Sequence, residues 1–143
     1  MRQPSTNGTR RFSQALRPPT HPAPLPSVPY INPLLFWKQP PPKPNLKIRL
    51  TTDGAIMLSW NLPTLSWHHE EIMSYRIYSY RETSEEPSQL LWKTEADVYA
   101  RALPMACTLM QIIHGYKYHF AVRAIDMNFR MSPESNTVSI ELL

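Results

Sequence analysis

The sequence predicts an all-β fold. Residues 43–143 read as a seven-stranded β-sandwich, and residues 1–42 as a disordered, Pro-rich, basic tail. Three observations carry this. Apolar residues recur with period two in seven short runs, the spacing of strands with one buried face. Turn residues separate the runs, and no run has convincing helical spacing. Proline and charge both divide the chain near residue 43. Of 16 Pro, 12 fall in residues 1–44, and residues 1–42 hold five Lys or Arg without one Asp or Glu. The formal charge of +4 therefore belongs to the tail, and the part able to fold is nearly neutral. That excludes a uniformly basic nucleic-acid-binding domain.

In the tail, runs such as Pro18-Pro19 and Pro40-Pro41-Pro42 break helices and ladders, because Pro lacks a backbone donor and fixes φ. Pro19–Pro22 and Pro26–Pro29 match the PxxP pattern read by aromatic grooves. In so proline-rich a stretch such matches arise by chance. Leu34-Leu35-Phe36-Trp37 is costly to leave in water. It is expected to pack on the domain or to act as a short docking motif.

The strands follow in order. Leu46, Ile48 and Leu50 alternate with Lys47 and Arg49. Asp53-Gly54 marks a hairpin turn, where Gly supplies positive φ. Ile56, Leu58 and Trp60 form the second strand, which Pro63 ends. After a loop over 64–71, Ile72–Glu82 is the third, with Tyr75, Ile77 and Ser79 on one face and Arg76, Tyr78 and Tyr80 on the other. Leu90–Thr94 is a short fourth strand and Ala106–Ile112 a fifth, with Cys107 and Leu109 inward. Helical spacing over 105–113 is an alternative, disfavoured by the strands on both sides. Tyr116–Ile125 is the longest alternation, with Tyr118, Phe120, Val122 and Ala124 on one parity. Asn136–Leu142 closes the set. Seven strands in about 100 residues is the arithmetic of an immunoglobulin-like sandwich.

Ile112-Ile113-His114-Gly115-Tyr116-Lys117-Tyr118 resembles the turn before the sixth strand of fibronectin type III domains. There a Tyr hydroxyl bonds back across the turn as a tyrosine corner. Trp60, Tyr118 and Gly115 are the structural landmarks on this reading. Leu103-Pro104-Met105-Ala106-Cys107-Thr108-Leu109, Ser74–Tyr80 and Lys117–Ala124 are similar to one subgroup, the C-terminal fibronectin type III domain of the ATF-interacting proteins. These are also called MBD-containing chromatin-associated factors, and the pattern is most like their second paralogue.

The resemblance implies a nuclear adaptor that regulates transcription and heterochromatin. It implies that this domain contacts a methyl-CpG-binding repressor. A histone lysine methyltransferase complex is implied as a further partner through a region without a counterpart here. The family pattern places Gly near position 129, where this chain has Phe129. A bulky residue is strained at positive φ, so Asn128 is expected to take the left-handed position.

The residues give no sign of an enzyme. One Cys excludes an intrachain disulfide and a Cys-based zinc cluster. His68-His69-Glu70-Glu71 reads as a solvated acidic loop, and His114 and His119 have no evident catalytic partner. Three Gly leave no phosphate loop, so no cofactor or metal is expected. No run is long and apolar enough for a membrane span, and the N-terminus lacks the apolar core of a signal peptide. Direct nucleic-acid binding would rest on five tail cations alone.

Function is expected on the outward parity. Tyr78, Tyr80, His119, Ala121, Arg123 and Ile125 share the outer face of one sheet if the third and sixth strands are neighbours. Tyr and Arg are favoured interface anchors. A solvent face stabilised by cross-strand Tyr–Arg pairs is the plainer account of the same residues. The docking hypothesis has this face receive a short apolar segment of a repressor. An extracellular adhesion or receptor domain and a Pro-rich signalling scaffold are the alternatives from other classes.

Overall fold

The structure is a computed structural model and describes residues 20–28 and 38–142. The Leu34–Trp37 cluster lies outside the described residues. Seven strands form two antiparallel sheets. They are β1 (Asn45–Leu50), β2 (Ile56–Asn61), β3 (Ile72–Arg81), β4 (Trp92–Tyr99), β5 (Met105–Leu109), β6 (Lys117–Asp126) and β7 (Val138–Glu141). One sheet has the order β1-β2-β5 and the other β4-β3-β6-β7, so β3 and β6 are neighbours as expected.

The core lies between the sheets and follows the strand parity. Leu46, Ile56, Leu58 and Trp60 come from the first sheet. Tyr75, Ile77, Phe120, Val122 and Ala124 come from the second. Gly54 turns the β1–β2 hairpin at φ 84, and β1 pairs with β2 from Asn45 opposite Asn61 to Leu50 opposite Ile56. The Asn136 side chain ties the sheets at one edge: its Oδ1 accepts from the Leu46 amide (2.8 Å) and its Nδ2 donates to the Leu46 carbonyl (2.9 Å).

Two expectations need correction. The fourth strand is Trp92–Tyr99, not Leu90–Thr94. A 3-10 turn over Gln89–Leu91 precedes it, capped by the Ser88 hydroxyl, which accepts from the Leu90 amide (3.1 Å). Lys93, Glu95 and Asp97 charge this edge strand, a pattern that blunts edge-to-edge pairing and masks its periodicity. A register shift opposite Ile77 and Tyr78 breaks the alternation as well.

Phe129, not Asn128, takes the left-handed position, at φ 61. The Asp126 carboxylate sets that loop. Its Oδ1 accepts from the Asn128 and Arg130 amides (2.9 Å each), and its Oδ2 from Arg130 Nε (2.9 Å).

The described parts of the tail lie against the domain. Residues 38–42 join the domain: the Gln39 amide donates to the His68 carbonyl (2.6 Å), and Arg130 Nη1 donates to the Lys38 carbonyl (2.8 Å). Residues 20–28 cross the outer face of the four-stranded sheet. The reason is chemical, since that face offers aromatic rings and N–H donors to a segment rich in free carbonyls.

Candidate partner-binding face

The face is built by alternation on β3, β4 and β6. Tyr78 stands opposite Ala121, and Tyr80 opposite both His119 and Trp92. Cross-strand neighbours on one face come within side-chain contact, so these residues meet. Tyr80 is the hub. Its ring makes edge contacts with Trp92 (5.2 Å between centroids), His119 (5.8 Å) and His21 of the tail (5.5 Å). Its hydroxyl shares a hydrogen bond with His21 Nδ1 (2.7 Å). His119 Nε2 reaches the Glu82 carboxylate at 2.6 Å.

Arg123 occupies the other end. Its guanidinium lies over the Tyr78 ring, 5.3 Å from the centroid. Nη1 donates to the Tyr78 hydroxyl (3.3 Å), and Nη2 to the Pro26 carbonyl (2.9 Å) and the Glu134 carboxylate (3.2 Å). Among the described residues Arg123 Nε has no partner. A buried guanidinium requires such acceptors, because burying the charge unpaired is costly.

The expected residues therefore share one face, but the expected exposure does not hold. Tyr78, Tyr80, His119, Ala121, Arg123 and Ile125 are all buried. Parity is a property of the strand, and burial is a property of what lies above it. The tail covers the Tyr80–Arg123 part of this face. Trp92 Nε1 donates to the Ala23 carbonyl (2.8 Å), and Ala23 is buried. Trp92 and the Ala23–Pro26 segment are the contributors that the sequence reading missed. Their signal was present in the alternating Pro22, Pro24 and Pro26 and in a Trp on the outer parity of an edge strand. Farther along the face, Arg76 and Asp97 form an exposed two-point ion pair (2.8 and 3.1 Å), and this pairing raises the arginine pKa.

A second surface lies at the loop end of the sandwich. Leu65, Ile72, Tyr99, Leu103, Arg101 and Met127 line an open cleft of about 600 Å³. Tyr99 is 81% exposed and Phe129 73% exposed. No sequence pattern marked this cleft, because its residues come from three loops and from the ends of β3 and β4.

The structural landmarks sit as follows. Trp60 is buried against Tyr75. Tyr118 closes the turn before β6: its hydroxyl accepts from the Ile113 amide (3.1 Å) and donates to the Ile113 carbonyl (3.3 Å). Gly115 holds φ 96 in that turn. Cys107 is half-buried, and burial pushes its thiol pKa up, away from the reactive thiolate. His69 and Glu70 bond within their surroundings, to Ser66 and to Lys38 and Asn128 respectively. Among the described residues no group of three or more His, Cys, Asp or Glu is placed to hold a metal ion, and no helix is long and apolar enough to cross a membrane.

Comparison with known proteins matches residues 39–139 to a family described as Fibronectin-III type domain. The chain is 35% identical to activating transcription factor 7-interacting protein 2 of Mus musculus, over 94% of this chain and 29% of that protein. It is 40% identical to activating transcription factor 7-interacting protein 1 of Homo sapiens, over 72% of this chain and 8% of that protein. The chain thus spans less than a third of these relatives. Among solved structures, the twitchin kinase region from C. elegans superposes with a TM-score of 0.57 at 19% identity, covering 73% of this chain and 17% of that one. At that identity it speaks to the fold alone.

Proposed function

The chain belongs to the fibronectin-III type family and to the activating transcription factor 7-interacting proteins, and from that premise we propose that it is a non-catalytic interaction module of a nuclear transcription and chromatin adaptor. Its partner on this reading is a methyl-CpG-binding repressor, contacted by the domain itself. A histone lysine methyltransferase complex is reached through other regions of the longer adaptor. The relatives' names support the coarser reading of a transcription-associated interaction module.

One observation supports this reading of the site. The Tyr78–Tyr80–Trp92–Arg123 face already receives a peptide segment through its aromatic rings and N–H donors. A surface that binds one segment through main-chain carbonyls is suited to binding another of the same kind.

The experiment is affinity purification of a methyl-CpG-binding repressor from nuclear extract on the immobilised full chain. Wild type is expected to retain the repressor. A Tyr78→Ala/Arg123→Ala variant, verified as folded by circular dichroism, is expected to lose it. Failure of wild type to retain it overturns the partner assignment. Full retention by the variant overturns the face. The loop-end cleft supports a second reading, because Tyr99 and Met127 are exposed around it. Loss of the repressor from a Tyr99→Ala/Met127→Ala variant alone would move the site there.

A further inference from the structure

Residues 20–28 contribute nothing to the core between the sheets. Of these nine residues only Ala23 is buried. The contacts that hold them are the Ala23 carbonyl on Trp92, the Pro26 carbonyl on Arg123, and His21 against Tyr80. This is how a bound ligand is held, not how a strand is built into a fold.

The spacing fits a polyproline-like segment. The two accepting carbonyls are three residues apart, which is one turn of a polyproline helix, so both point to the same side. Pro22, Pro24 and Pro26 fix φ, and each restricts the residue before it to extended backbone. Such a segment loses little conformational entropy on docking. The face supplies what this ligand needs: the Tyr80 ring against His21, and an indole and a guanidinium as donors to carbonyls. A proline also leaves no backbone N–H to be desolvated without a partner.

We infer that the outer face of the four-stranded sheet is a reader of proline-rich segments, held closed in cis by residues 20–28 and open to a proline-rich segment of a partner protein when this strap is displaced. The inference deepens the interaction-module reading and rests on it. It states the chemistry of the recognised segment: alternating prolines, a small buried residue whose carbonyl meets the Trp92 indole, and accepting carbonyls three apart. The PxxP-like character of the tail is then that of a ligand for its own domain. A tethered strap competes at an effective concentration in the millimolar range, so a partner succeeds by binding more tightly or after the strap is withdrawn.

The test uses the full chain and a fluorescein-labelled peptide with the sequence of Thr20–Val28. In the chain, Ala23→Asp places a carboxylate at the buried position whose carbonyl accepts from Trp92, and weakens the strap without altering the sheet. Fluorescence anisotropy is expected to show the Ala23→Asp chain binding the peptide about tenfold or more tightly than wild type, since the competent fraction rises. The Trp92 indole N–H resonance is expected to shift in the variant and return when peptide is added. A peptide carrying Ala23→Asp is expected not to bind. A second variant, Pro22→Gly/Pro24→Gly/Pro26→Gly, loosens the strap by a different route and should behave alike.

Absence of peptide binding by both folded variants overturns the inference. So does unfolding of both variants, which would make the strap part of the fold. A concentration-dependent dimer of wild type would assign the face to a second copy's strap and likewise overturn it. If the peptide binds but the repressor is not recovered from nuclear extract, the reader stands and the partner assignment falls. If the repressor is recovered and the peptide does not bind, the reverse holds.

Discussion

Trp60 and Tyr75 meet edge to face across the sandwich, with ring centroids 5.4 Å apart and each side chain 1% exposed. They join the two sheets at the centre of the core. Truncating a buried Trp costs the transfer term and the cavity left behind, about 3–5 kcal/mol. Trp60→Ala is therefore expected to remove a large part of the stability of a domain this size, read as a lowered urea midpoint by circular dichroism. Among the described residues Trp60 Nε1 has no hydrogen-bond partner. Trp60→Phe gives up volume but also removes that unpaired donor, so its midpoint should fall far less. Equal losses for both variants would mean that packing at this site is not what the indole supplies.

Tyr75 adds a dependence on pH. Burial pushes its phenol up to about 12. In the unfolded chain a Tyr titrates near 10. The folded state holds the proton more tightly, so the stabilisation is complete below pH 10 and is lost as pH rises from 10 through 12. The loss is on the order of 2 kcal/mol. Urea midpoints across this range should fall for wild type, and the fall should be smaller in Tyr75→Phe. An unchanged slope in that variant would place the alkaline lability elsewhere.

Tyr118 uses its hydroxyl as both acceptor and donor to Ile113. Tyr118→Phe keeps the ring in place and deletes both bonds. Net contributions of about 1 kcal/mol per bond predict a loss of roughly 1–2 kcal/mol. Amide exchange at Ile113 should quicken in the same variant, because its N–H loses its acceptor. Slow exchange there in the variant would show that the turn is held by other contacts.

How much of this was legible in the sequence depends on the kind of fact. The sandwich was legible because period-two alternation reports one buried face, and the tyrosine corner because its spacing is fixed by a tight turn. The common face of Tyr78, Tyr80, His119 and Arg123 was legible for the same reason. Its burial was not. Nothing in the periodicity of β3 or β6 says that residues near position 23 lie above them, a separation of 69 residues in the bond from Trp92 to Ala23. The fourth strand was misplaced because charges at 93, 95 and 97 and a register shift hide its alternation. Phe129 was misassigned by an argument from sterics alone. The Asp126 carboxylate, bonded to the amides on both sides of that residue, holds the loop in a shape that forces the strain onto it.

That strain can be released. Phe129 holds φ 61 while its side chain is 73% exposed, so little packing offsets the backbone cost. A non-Gly residue in the left-handed region costs about 1–2 kcal/mol. Glycine adopts it freely but gives back about 0.5–1 kcal/mol in unfolded-state entropy. Phe129→Gly is therefore expected to raise stability by up to about 1 kcal/mol, with Phe129→Asn between wild type and Gly. Phe129→Val, β-branched at the same φ, should fall below wild type. The ordering Gly, Asn, Phe, Val in urea midpoint is the measurement. Destabilisation by Phe129→Gly would mean that the ring makes a contact worth more than the strain it imposes.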